Sequence, residues 1–158
     1  MFNNINFAIS DIEREKEIAK IVRKNIDFFK DHGIKFTQPD REIAKEYNIN
    51  KYEDYRGKLE SKWGEKENVF VQHLLSFFNK SEKTQFTVEI SNYGPLGFYN
   101  FNTNTITINL NMDLDPTETI KHEMIHIVLE PFVKKYHIEH EQKENIVHTI
   151  LEILESIK

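Results

Sequence analysis

The sequence predicts an α+β domain, and three observations carry that prediction. Apolar residues recur at helical spacing through much of the first half of the chain. Between residues 84 and 110 the period changes to alternation broken by turn-forming residues. Two further helical stretches follow, and the first of them carries two histidines four residues apart. At 158 residues the chain reads as one domain, long enough to bury a core. Residues 1–83 are expected to be mainly helical, and residues 84–158 to hold a small, mostly antiparallel sheet and the last two helices.

Residues 10–31 form an amphipathic pattern. Ser10 or Asp11 is placed to cap it, Ile18, Ile21, Val22, Ile26 and Phe29 supply the stripe, and Gly33 follows as a stop. Its charges, among them Glu13, Arg14, Glu15 and Lys16, read as a solvated face. A short helix is expected within residues 39–48. The charged stretch 51–67 reads as helix or ordered linker, and residues 68–79 as a helix facing the core through Val69, Phe70, Leu74, Phe77 and Phe78.

Residues 84–90 alternate as a strand, with Phe86, Val88 and Ile90 on one face. Residues 97–101 give a second strand, Asn102, Thr103 and Asn104 a hairpin turn, and residues 105–110 a third. The third strand, closest in sequence to the histidines, is expected to offer a free edge on which a peptide could lie, with Asn109 and Asn111 placed to orient its backbone.

Composition narrows the classes of function. A charged fraction of 30% and a hydrophobic fraction of 39% are ordinary for a soluble protein. The net charge of -5 disfavours a nucleic-acid partner. With no cysteine, disulfides and thiolate ligands are excluded, which agrees with a reducing, cytoplasmic location. The start, MFNNINFAISDIEREKE, lacks a basic segment followed by an apolar one, and no apolar run approaches the ~20 residues of a membrane span. No membrane partner is expected.

The stretch DPTETIKHEMIHIVLE, residues 115–130, carries the chemistry. On a helix His122 and His126 share a face and can present two imidazoles to one ion, with Glu123 beside that ion. Asp115 is a good N-cap, Pro116 suits the first helical position, and Glu118 stands where a capping box needs it. Ile120, Met124, Ile127 and Val128 give a buried face, and Pro131 is expected to end the helix at Glu130.

A catalytic zinc has three protein ligands and leaves the fourth position open. The pattern HExxHxxGxxH is absent, because Leu129 and Phe132 occupy its last two positions, and there is no cysteine to serve instead. The C-terminal segment remains. Ile146, Val147, Ile150, Leu151, Leu154 and Ile157 make it an amphipathic helix that opens with His140, Glu141, Glu144 and His148. Glu144 and His148 lie on one face, so a carboxylate from this segment can enter the site while His148 orients a ligand imidazole.

An HExxH followed by a glutamate on the next helix resembles the gluzincin pattern of zinc metallopeptidases, and the order hairpin, strand, HExxH helix in so small a chain looks like their minigluzincin-type members. The resemblance covers residues 84–158 and includes the segment YHIEHEQKENIV. It implies a zincin-like fold, Zn2+ held by His122, His126 and Glu144, and Glu123 as general base. It also favours Tyr136 and His140 as oxyanion donors. His148 departs from the family, which commonly has Asp there, and is either an outer partner of the ligands or itself a ligand. The implied activity is hydrolysis of a peptide or protein substrate. The alternative is a non-catalytic or latent zincin-like module that binds a protein partner.

Overall fold

A four-stranded sheet and one long helix beneath it position everything else. The computed structural model describes residues 3–112 and 115–157. Along the chain, β1 (Ile5–Ile9) leads into α1 (Ile12–Lys24), α2 (Ile26–Asp31), β2 (Phe36–Thr37), α3 (Ile43–Glu46), α4 (Ile49–Lys62) and α5 (Glu65–Phe77). Then come β3 (Phe86–Ser91), β4 (Gly94–Pro95), β5 (Gly97–Asn100), β6 (Thr105–Asn109), α6 (Pro116–Tyr136) and α7 (His140–Ser156). The fold is mixed α+β. None of these helices is long and apolar enough to cross a membrane.

The main sheet has the order β1-β3-β6-β5, while β2 and β4 pair as a separate two-residue ribbon. The expected mostly antiparallel sheet is corrected here. Within the main sheet β1 runs parallel to β3, β3 runs parallel to β6, and β5 and β6 alone are antiparallel among the described strands. Part of the correction comes from residues 5–9, in the half expected to be mainly helical, which add a strand in register Ile5↔Phe86. The rest comes from β6, which lies between β3 and β5 and is buried along most of its length, as an interior strand is.

Alternation places Phe86, Val88, Ile90, Ile106 and Ile108 on the face toward α6. They meet Ile120, Met124, Ile125 and Val128 from that helix, Phe70, Val71 and Leu74 from α5, and Val147 and Leu154 from α7. Each fully buried Ile, Leu or Met of this layer contributes roughly 1.5–3 kcal/mol relative to exposure. On the opposite face Glu89 accepts from Thr107 Oγ1 at 3.0 Å and from Arg14 of α1 at 2.8 and 3.0 Å. The polar face of the sheet is thus covered by α1.

Two boundaries and one cap differ from expectation for identifiable reasons. The first helix divides at Asn25, whose amide donates to the carbonyl of Ile21 at 2.7 Å and competes with the helical ladder. Its start is as read: Asp11 accepts from Arg14 N at 2.7 Å. α6 does not stop before Pro131 but runs through it to Tyr136. Pro131 is exposed, and packing holds the next turn: Val133 lies against the core and the Phe132 ring is 6.0 Å from Phe78. The helix ends at His137, in the left-handed region, where Ile138 N returns to the carbonyl of Val133. Glu118 does not close a capping box. It turns to Lys121, which is almost wholly buried and also bound by Glu155 of α7, 3.0 Å away. That pair fixes α7 against α6.

Glu15, within the face read as solvated, is wholly buried. Its Oε2 accepts from Tyr52 Oη at 3.2 Å and from Asn92 N at 3.1 Å, and burial raises its pKa above 4.5. The folded chain therefore holds this proton more tightly than the unfolded chain. Stability is highest below the unfolded value and falls as pH rises through the folded one. We expect Glu15→Gln to lose that slope. Urea unfolding of both proteins from pH 4 to neutrality reads it, because all other titrations cancel in the difference. Parallel stability curves would refute it.

Candidate metal centre

α6 and α7 bring three ligating groups to one point. His122 Nε2 is 3.2 Å from Glu144 Oε2, His126 Nε2 is 3.1 Å from Glu144 Oε1, and the two imidazole nitrogens are 3.1 Å apart. These residues form the group able to hold a metal ion among those described. Donor atoms about 2.0–2.2 Å from a tetrahedral zinc lie roughly 3.3–3.6 Å from each other, so small side-chain rotations suffice to admit one. Hydrogen bonding alone serves this triangle poorly. If both imidazoles donate to the carboxylate, their nitrogens face each other as two donors. A cation at the centre satisfies all three.

The electrostatics follow from burial and from the neighbours. Burial holds the His126 imidazole below its ordinary value, although Glu144 works the other way. At His122 burial also opposes the charge, but the hydrogen bond to Glu144 and the charges of Glu123 and Glu144 together raise its pKa. Burial disfavours ionised Glu144 too, yet the two imidazoles hold it well below the usual carboxylate range. Glu123 stands beside the triangle, and burial pushes its carboxyl up to about 7. A carboxylate placed there has an increased appetite for a proton.

β5 lies close against this face of α6, and Gly97 is what permits it. A Cβ at Gly97 would stand 2.6 Å from Thr119 Cγ2 and 3.3 Å from Glu123 Cγ. Two residues on, Tyr99 shares the strand face of Gly97 and lies flat on His126, with ring centroids 5.1 Å apart and planes within 7°. Cavities of about 720 and 920 Å3 open on either side and share Ile34, Pro95, Gly97, His122 and Glu123. A single cleft thus crosses Glu123, and its wall is the outer strand of the sheet.

The other sequence-predicted residues are placed unequally. His140 borders the first cavity, its ring 5.4 Å from Phe28 and 4.9 Å from His32 of the N-terminal part. Tyr136 is 62% exposed at the end of α6 and borders neither cavity. His148 is exposed, borders the second cavity, and meets His122 by a ring contact at 5.5 Å. Asn109 is buried and donates to Thr37 Oγ1 and to the carbonyl of Gly94, each at 2.7 Å. Asn111 donates to Asn92 and accepts from Lys51 Nζ at 2.6 Å. Asn109 is enclosed by β2 and β4, which corrects its reading as a peptide-orienting group, whereas Asn111 is exposed and borders neither cavity. The free edge is corrected likewise: β6 is interior, and the edge beside the ligands belongs to β5.

Sequence reasoning passed over Tyr99, Lys143 and the aromatic pair Phe28 and Phe29, all of which border the first cavity. For Tyr99 a signal existed, since alternation puts it on the face of Gly97. For Phe28 and Phe29 none did, because nothing local says that α2 reaches α7. No protein-family model matches the chain, and no curated protein or solved structure does.

Proposed function

We propose that the chain is a zinc-dependent peptidase of gluzincin type with a zincin-like fold. The observation that carries this reading is the convergence of two imidazole nitrogens and one carboxylate, with a separate buried glutamate beside them in an open cleft. His122, His126 and Glu144 would hold the ion. When bound, zinc polarises a carbonyl and acidifies a water enough for attack near neutral pH. Glu123 takes the proton of the attacking water and passes it to the departing amine. The unpaired edge of β5 holds the substrate backbone extended across Glu123, and the close approach at Gly97 keeps strand and carboxylate in register. His140, on the cleft rim, is a donor within the same cavity.

Latency of the same activity is a second reading, favoured by one contact. Phe28 and His32 of the N-terminal part meet His140 at the cleft mouth. The test for both readings is metal analysis of the purified protein with a peptide-library digest. We expect about one zinc per chain, cleavage that stops on chelation, and recovery when zinc is returned. Cleavage that begins only when α2 is displaced selects latency. Bound zinc without cleavage under either condition leaves a binding module, and a chain that takes up no zinc rules out the peptidase.

A further inference from the structure

We propose that Tyr99 is the positioning residue of the ligand His126, fixing its imidazole plane by stacking where a hydrogen-bonded partner ordinarily does so. The inference rests on the metal reading of the site and is independent of peptidase activity. A ligating imidazole commonly donates its second N–H to a carboxylate, a carbonyl or water, which sets the tautomer and the ring orientation. His126 departs from this. Its side chain is 3% exposed, and its Nδ1 has no hydrogen-bond partner among the described residues. Among the described residues no polar group therefore holds the ring from behind.

A planar face does. The Tyr99 ring lies at 7° to the imidazole with centroids 5.1 Å apart. It is itself anchored at both ends. Its backbone belongs to β5, in register Tyr99↔Ile106, and its hydroxyl donates to Glu130 Oε2 at 2.8 Å, one helical turn beyond His126. Lys143 Nζ reaches the same hydroxyl at 3.4 Å from the turn of α7 that carries Glu144. One side chain thus ties the strand, the ligand helix and the third-ligand helix together. Rotation of the His126 ring would have to displace an aromatic plane pinned by the sheet. Stacking constrains the plane and leaves the Nε2 edge of the ring facing Glu144 and His122.

The test compares the zinc affinities of full-length variants by competition with a chromophoric chelator, and the visible spectra of their cobalt forms. Tyr99→Phe keeps the plane and loses the anchor, so its affinity should stay within about threefold of the wild type. Tyr99→Leu removes the plane and should weaken zinc roughly 10- to 100-fold while altering the cobalt spectrum. Tyr99→Met fills the same half-buried space without a flat face and should behave like Leu, so one poorly folding variant does not empty the comparison. Wild-type affinity and spectrum in a folded Leu or Met variant would overturn the proposal while leaving the metal site intact. Equal losses in Phe and Leu would overturn it in favour of the hydroxyl. Absence of zinc binding by the wild type would overturn both this proposal and the metal reading.

Discussion

Glu144→Ala is expected to abolish stoichiometric zinc binding while the fold persists. The two histidines stand on one helix and cannot complete a three-ligand site alone. On the proposed reading Glu144 would supply the remaining position from α7, where it turns one oxygen toward each imidazole. Its removal leaves two neutral donors and takes away the carboxylate that faces both. Affinity should fall by more than the roughly 10- to 100-fold that loss of an outer partner costs. The helix itself should stay in place, because Val147, Ile150 and Leu154 are buried and Glu155 holds Lys121. His148→Ala is the matched control. The His148 side chain is exposed and touches His122 only by its ring, so zinc content should be unchanged. Both variants are read by metal analysis after dialysis. Zinc retained by Glu144→Ala would move the third position to His148, His140 or Glu141 and dismantle the site as drawn.

What the sequence allowed to be read follows the range of the interactions involved. The helix bearing His122 and His126 was legible because its cap, its apolar face and the spacing of its histidines all lie within a few residues. The parallel course of the sheet was not. Residues 5–9 join Phe86 to Ile90 across α1 to α5, and no local pattern names that partner. Pro131 shows the converse. The local rule ends a helix before it, and the packing of Phe132 and Val133 outweighs the rule.

The candidate site divides in the same way. Glu144 and His148 are four apart on one helix, so the sequence places them on one face and does not say which turns inward. Packing decides. Val147 and Ile150 seat α7 so that Glu144 meets both imidazoles and His148 lies toward solvent. Asn109 misled because a polar residue at a strand end looks available, whereas this one is enclosed by the ribbon of β2 and β4. Tyr99 belongs to a strand whose hairpin partner was readable and whose packing on α6 was not, so its stacking on His126 required the tertiary structure.

Glu123→Gln separates binding from chemistry most sharply. The side chain is buried between β5 and α6, with Gly97 leaving it space, and glutamine has nearly the same shape. Fold and zinc content should therefore match the wild type, since Glu123 is outside the ligand triangle. Hydrolysis should fall by roughly 10²- to 10⁴-fold, the usual contribution of a positioned general base, because an amide cannot take the proton of the attacking water. The measurement is cleavage of a peptide found in the library digest, at equal zinc loading of both proteins. A rate unchanged by the substitution would remove Glu123 from the mechanism. If Glu144→Ala also cut at the wild-type rate, the hydrolysis would belong to another site or to a contaminant. Loss of activity with zinc retained in Glu123→Gln, beside loss of both in Glu144→Ala, is the pattern that an HExxH peptidase requires and that a purely structural metal site does not produce.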